Sequence, residues 1–106
     1  MGEYRAIHAP HLADTEVLHT LLRLVHREWL SPSRAKLALD DLTDLRLVRH
    51  AHAPLGERVW ALRDRLSAYD ATYVALAEAL EATLVTGDTR LARGAEALVP
   101  ILDASA

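Results

Sequence analysis

Ser67-Ala68-Tyr69-Asp70-Ala71-Thr72-Tyr73-Val74-Ala75-Leu76-Ala77-Glu78-Ala79-Leu80, with Thr83-Leu84-Val85-Thr86-Gly87-Asp88 just behind it, is the stretch on which the fold turns. Ser67 and Asp70 stand at the spacing of a capping box, which predicts a helix over about 68–81. Ala71, Tyr73, Val74, Ala75, Leu76, Ala77 and Leu80 cover nearly its whole circumference. A helix that is apolar all round is normally a central one. Residues 83–86 are a short apolar run stopped by Gly87-Asp88, the pattern of a buried strand. A central helix feeding a buried strand, with a further short helix predicted over 89–96, is the beginning of an α/β alternation.

The pattern extends toward the N-terminus. Residues 6–9 read as a strand stopped by Pro10. An amphipathic helix follows over about 13–29, with Val17, Leu18, Leu21, Leu22, Leu24 and Val25 at helical spacing and Asp14 as its N-cap. Leu30-Ser31-Pro32 breaks it, and Ser31 or Pro32 opens a second helix over 32–44 with Ala35, Ala38, Leu39 and Leu42 on one face. Residues 46–50 alternate as a strand. Pro54 starts a third helix over 54–66 that turns Leu55, Val59, Leu62 and Leu66 to the core, with Trp60 nearby. Toward the C-terminus, residues 98–102 form a last strand interrupted by Pro100, which puts it at an edge. Strands alternating with helices imply an α/β fold with a small parallel sheet, most residues being helical.

At 106 residues the chain is expected to form one domain. It is 51% hydrophobic, rich in Leu and Ala and without Phe, so its core is aliphatic. The absence of Cys excludes disulfides and thiolate metal sites and fits a reducing cytoplasm. Met1-Gly2-Glu3-Tyr4-Arg5 do not lead into an apolar stretch, so no signal peptide is expected, and no apolar run is long enough to span a membrane. The net charge of −3 argues against nucleic-acid binding by electrostatics alone. Any nucleic-acid chemistry must work through local contacts or a metal ion.

Three acids stand out by position. Glu16 falls in the first turn of the first long helix, Asp70 in the first turn of the apolar helix, and Asp88 just after the strand 83–86. In a parallel sheet, strand C-termini and helix N-termini share one edge, where such sheets place their sites. Each acid also has an ordinary explanation: Glu16 complements a helix dipole, Asp70 completes the capping box with Ser67, and Asp88 caps the short helix behind it. What sets them apart is that all three face one edge. Carboxylates held close repel one another, and a divalent cation removes that repulsion. Oxygen donors without Cys favour Mg²⁺ or Mn²⁺ over zinc.

These same residues carry a resemblance to PIN domains, and to the VapC-type toxins among them. Ser67 to Leu80 resembles the family's third-acid motif, with the acid at Asp70. Leu84-Val85-Thr86-Gly87-Asp88-Thr89-Arg90-Leu91 resembles the motif of the last acid, at Asp88, with Thr86 matching a hydroxyl residue that lines the same site. His8-Ala9-Pro10-His11-Leu12-Ala13-Asp14-Thr15-Glu16-Val17-Leu18 resembles the second-acid motif, with the acid at Glu16. The resemblance runs over about 6–102. It implies a three-layer α/β/α fold and a ribonuclease that cleaves RNA with Mg²⁺ or Mn²⁺. Glu16, Asp70 and Asp88 would be its metal-binding catalytic residues, Thr86 would assist, and the protein would be a cytoplasmic homodimer blocked by a cognate antitoxin.

The family's opening motif, an apolar strand ending in Asp, a small residue and Ser or Thr, has no match before residue 6. The sheet is therefore expected to be incomplete on its N-terminal side. Val99-Pro100-Ile101-Leu102-Asp103-Ala104-Ser105 resembles that opening. Either 98–102 is the usual last edge strand with Asp103 in a tail, or the strand fills the central slot and delivers Asp103 to the site. Two rival readings remain: a truncated, inactive remnant that binds a partner such as an antitoxin, and an all-helical interaction domain. Neither His8 with His11 nor His50 with His52 has the spacing of a zinc helix. Arg90 and Arg93 could meet RNA phosphates or simply be solvated, and Trp29 and Trp60 are expected as core or interface anchors.

Overall fold

The computed structural model describes residues 6–105; the N-terminal stretch in which no signal peptide is expected lies outside them. The chain divides into two compact units, Met1–His50 and Ala51–Ala106. Each contains one pair of parallel strands. The fold class is α/β, mainly helical, with its strands parallel as the alternation predicts.

In the first unit, β1 (Ile7–Pro10) pairs with β2 (Leu47–His50), matching Ile7 to Leu47 and Pro10 to His50. Pro10 ends the strand rather than following it. Having no N–H, a proline is tolerated at such a terminus, and the next amide, of His11, continues the ladder to the His50 carbonyl at 2.9 Å. Helix α1 (Leu12–His26) starts earlier than expected, and its N-cap is His11, whose side chain does not cap the helix. Asp14 is not the cap, because Arg49 takes its carboxylate in a two-pronged contact of 2.6 and 2.9 Å.

Helix α1 ends in a Schellman turn. Glu28 sits at φ 59°, its N–H bonds the Val25 carbonyl, and the N–H of Trp29 bonds that of Leu24. Helix α2 (Pro32–Asp44) opens as expected: Ser31 accepts the Arg34 N–H at 3.2 Å, with Pro32 in the first helical position. Lys36 and Asp40 pair one turn apart. Only Ala35 of α2, and no residue of α1, is buried. Leucines of the expected apolar faces, Leu18, Leu21, Leu22 and Leu39 among them, line an open apolar groove of about 240 Å³.

In the second unit, a single 3₁₀ turn (Ala53–Leu55) runs into α3 (Gly56–Ala61), shorter than expected, and the chain reaches Ser67 through turns. Helix α4 (Ala68–Leu80) is central, as its all-round apolarity requires: Ala71, Thr72, Val74, Ala75, Leu76 and Ala77 are all buried. Strand β3 (Leu84–Thr86), helix α5 (Thr89–Ala95) and strand β4 (Ile101–Asp103) complete the unit. The core gathers Leu62, Ala71, Val74, Leu84, Ala95 and Val99. Alanine at so many core positions of α4 and α5 lets backbones approach closely, so a chain without Phe can still close-pack. On the rim, Arg58 grips Glu78 at 2.7 and 2.8 Å.

The tryptophans are not the core anchors that the sequence allowed as one of two readings. Trp29 is 70% exposed and Trp60 68% exposed, so neither anchors the core. Each is covered on one face by a nearby guanidinium, Arg27 at 5.2 Å and Arg63 at 4.6 Å from the ring centres. Among the described residues, no helix is long and apolar enough to cross a membrane.

Candidate functional site

The capping box at α4 is only half made. The Ser67 hydroxyl accepts the Asp70 N–H at 3.1 Å. The return bond, from the Ser67 N–H to the Asp70 carboxylate, is not formed. Helix capping therefore accounts for Ser67 but not for the Asp70 side chain, which is half-buried and bonded to no described residue. A partly desolvated carboxylate without a protein donor is one that an external ligand can use.

Asp88 has the opposite character. Its Oδ1 accepts the N–H groups of Arg90 at 2.9 Å and Leu91 at 3.3 Å, the cap of α5 expected of it. Its own N–H donates to Thr86 Oγ1 at 3.0 Å, which ties the two motif residues together. Both cap bonds fall on one carboxylate oxygen. Thr86 Oγ1 in turn accepts one bond and keeps its O–H to donate.

Asp103 joins this group. It is the last residue of β4 rather than part of a tail, and it stands opposite Thr86 in the parallel register. The Ala104 N–H reaches the Thr86 carbonyl at 2.8 Å and prolongs the pairing. Asp103 Oδ1 accepts the Ser105 N–H at 2.9 Å, and the hydroxyls of Ser105 and Thr89 meet at 2.8 Å. The Ser105 hydroxyl and amide, with smaller help from Thr89 and Arg93, hold the Asp103 carboxyl below the usual carboxylate range.

Glu16 belongs to the first unit. Since α1 begins at Leu12, Glu16 opens its second turn, half-buried, and the acid of the first turn is Asp14. The hydrogen bond from Arg49 holds the Asp14 carboxyl below its ordinary value. The structure thus links Thr86, Asp88 and Asp103 in one strand-end cluster and places Asp70 in the same unit, at the N-terminus of α4. Sequence reasoning missed two contacts at the end of the β1–β2 pair: Asp14 with Arg49, and His8 with His50, whose ring nitrogens stand 2.9 Å apart. Both depend on the strand register, and residue spacing alone carries no sign of it. Arg90 and Arg93 are exposed, as both a solvated face and a phosphate-contacting one require.

In donor type, Asp70, Asp88 and Glu16 suit a hard divalent cation: all are carboxylates, and there is no cysteine in the chain to favour a softer ion. Among the described residues, no three His, Asp or Glu side chains are gathered into a group that could hold an ion.

The PIN domain family matches the chain over residues 2–97, and the chain belongs to that family. Within it, the chain is of the VapC type. A VapC ribonuclease of Mycobacterium bovis is 45% identical over 95 residues, which cover 90% of this chain and 75% of the relative. Ribonuclease VapC9 of Mycobacterium tuberculosis matches to the same extent. Ribonuclease VapC1 of Mycobacterium tuberculosis is 51% identical over 85 residues, covering 79% of this chain and 64% of the relative.

Proposed function

We propose that this chain is a divalent-metal-dependent endoribonuclease of the toxin type, with Glu16, Asp70 and Asp88 as the residues that hold Mg²⁺ or Mn²⁺. The observation that carries the reading is Asp70, a half-buried carboxylate in a family motif that no described residue satisfies. The names of the related ribonucleases support the substrate class.

The bound ion would lower the pKa of a water and offset charge on the phosphodiester oxygens. The rest falls to the chain's own residues. Asp70 supplies a negative charge that no donor among the described residues neutralises. Asp88, fixed by the two amides of α5, cannot swing away from the strand end. Thr86, held as acceptor by the Asp88 N–H, points its remaining O–H at a phosphate oxygen and orients it. The partners that follow are RNA, a cognate antitoxin that covers the site, and a second copy of the chain in a homodimer, all in the cytoplasm.

The test is cleavage of a single-stranded RNA with Mg²⁺. Asp70→Asn removes the charge but keeps the shape, and should lower the rate on the order of a hundredfold or more with the circular dichroism unchanged. EDTA should abolish cleavage in the parent. Cleavage that survives both the substitution and EDTA would discard the mechanism.

A further inference from the structure

His8 and His50 form a second constellation, far in chemistry from the carboxylates. They lie on neighbouring parallel strands, two rungs apart, since His8 is opposite Val48 and His50 opposite Pro10. Side chains two residues apart on a strand share a face, so both imidazoles project from the same side of the pair. His8 Nδ1 and His50 Nε2 are 2.9 Å apart, with ring centres at 5.1 Å and planes inclined by 37°. The backbone behind them is fixed by the ladder and by the His11 N–H on the His50 carbonyl. Both rings are at least partly open to solvent.

We propose that His8 and His50 are a chelating pair for a divalent transition-metal ion, of the Ni²⁺ or Cu²⁺ type, that staples β1 to β2. Two nitrogen donors about 2.1 Å from an ion and at right angles to each other stand about 3.0 Å apart. A tetrahedral angle would spread them to about 3.4 Å. At 2.9 Å the two nitrogens now share a hydrogen bond, and only a small rotation of the rings brings them to neighbouring positions on a square or octahedral ion, the geometry of Cu²⁺ and Ni²⁺. The exchange balances without any redox step. The ring that now donates N–H to the other moves that proton to its second nitrogen, stays neutral, and turns a lone pair to the metal. Water fills the remaining positions. Imidazole nitrogens are poor ligands for Mg²⁺, so the pair discriminates against the ion proposed for the carboxylates, and the two proposals stand or fall separately.

The experiment is calorimetric titration of the full chain with Ni²⁺ alone in a buffer that does not bind metal. A single ion should bind, and His8→Ala and His50→Ala should each weaken it at least about tenfold. His19→Ala, on α1, should leave the affinity within about twofold, and excess Mg²⁺ should not compete. Affinity unchanged in either strand variant, or competition by Mg²⁺, overturns the proposal. A second measurement needs no variant: in the proton NMR spectrum of the parent chain, substoichiometric paramagnetic Ni²⁺ should broaden the imidazole signals of His8 and His50 before those of His19 and His26. The reverse order also overturns it.

Discussion

Asp14 and Arg49 show how a single pair couples to pH. The Asp14 carboxyl titrates below its ordinary value of 3.8 because it accepts the Arg49 hydrogen bonds. A carboxyl with a depressed folded-state pKa adds stability that is complete above the unfolded value and is lost as pH falls through the folded one. The pair should therefore help hold β2 against α1 at neutral pH and fail below about pH 4. Both side chains are partly exposed, so solvent screens the contact and its effect is small. Urea unfolding of the parent and of Asp14→Asn across this range should show the parent's acid-side loss reduced in the variant. Identical pH slopes would show the contact to be energetically silent.

Glu81 is a second residue whose backbone carries the argument. It closes α4 at φ 52° in a Schellman turn, with the Ala82 N–H on the Ala77 carbonyl and its own N–H on that of Glu78. The left-handed region costs a non-glycine residue about 1 kcal/mol. Glu81→Gly should relieve most of that and raise the melting temperature by roughly 4 °C or more, as read by calorimetry. A fall would show that the Glu81 side chain makes a favourable contribution that outweighs the strain.

At the scale of elements, α4 was the most legible part of the sequence. Its apolar residues cover nearly the whole circumference, so its middle must lie inside, and residues 71–72 and 74–77 do. Leu62, at 2% exposure, packs in the same core from the turn after α3. Leu62→Ala should cost about 3 kcal/mol, measured by denaturant unfolding. Less than about 1 kcal/mol would mean that the turn carries no core weight. Helix α1 was less legible. Its leucine spacing identified the apolar face correctly, yet none of those leucines is buried, because periodicity shows which side is apolar and not what covers it. Helix α3 was overextended for a related reason: Leu62 and Leu66 keep helical spacing while the backbone has already turned. The ends of β1 and β4 were missed by a residue or so, since ladder bonds at Pro10 and Asp103 depend on a partner strand distant in sequence.

For the whole molecule, the proposed metal ligands are Glu16, Asp70 and Asp88. Asp70 and Asp88 could be picked out from the sequence because each belongs to a compact local motif. The addition of Asp103 to the strand end could not, because it follows from the β3–β4 register. If the carboxylates share an ion, Mg²⁺ at a hundred times its dissociation constant should stabilise the fold by about 2.7 kcal/mol, visible as a higher melting temperature that Asp70→Asn removes. No rise with Mg²⁺ or Mn²⁺ would favour the inactive, partner-binding alternative.

The solvent-facing indoles have a practical side. Trp29 and Trp60 are the only tryptophans, each bathed in water on one side and capped by an arginine on the other. Their emission should already sit near the red limit in the native protein and scarcely move when the chain melts, so a fluorimeter would report almost nothing where an ellipticity trace records a full transition.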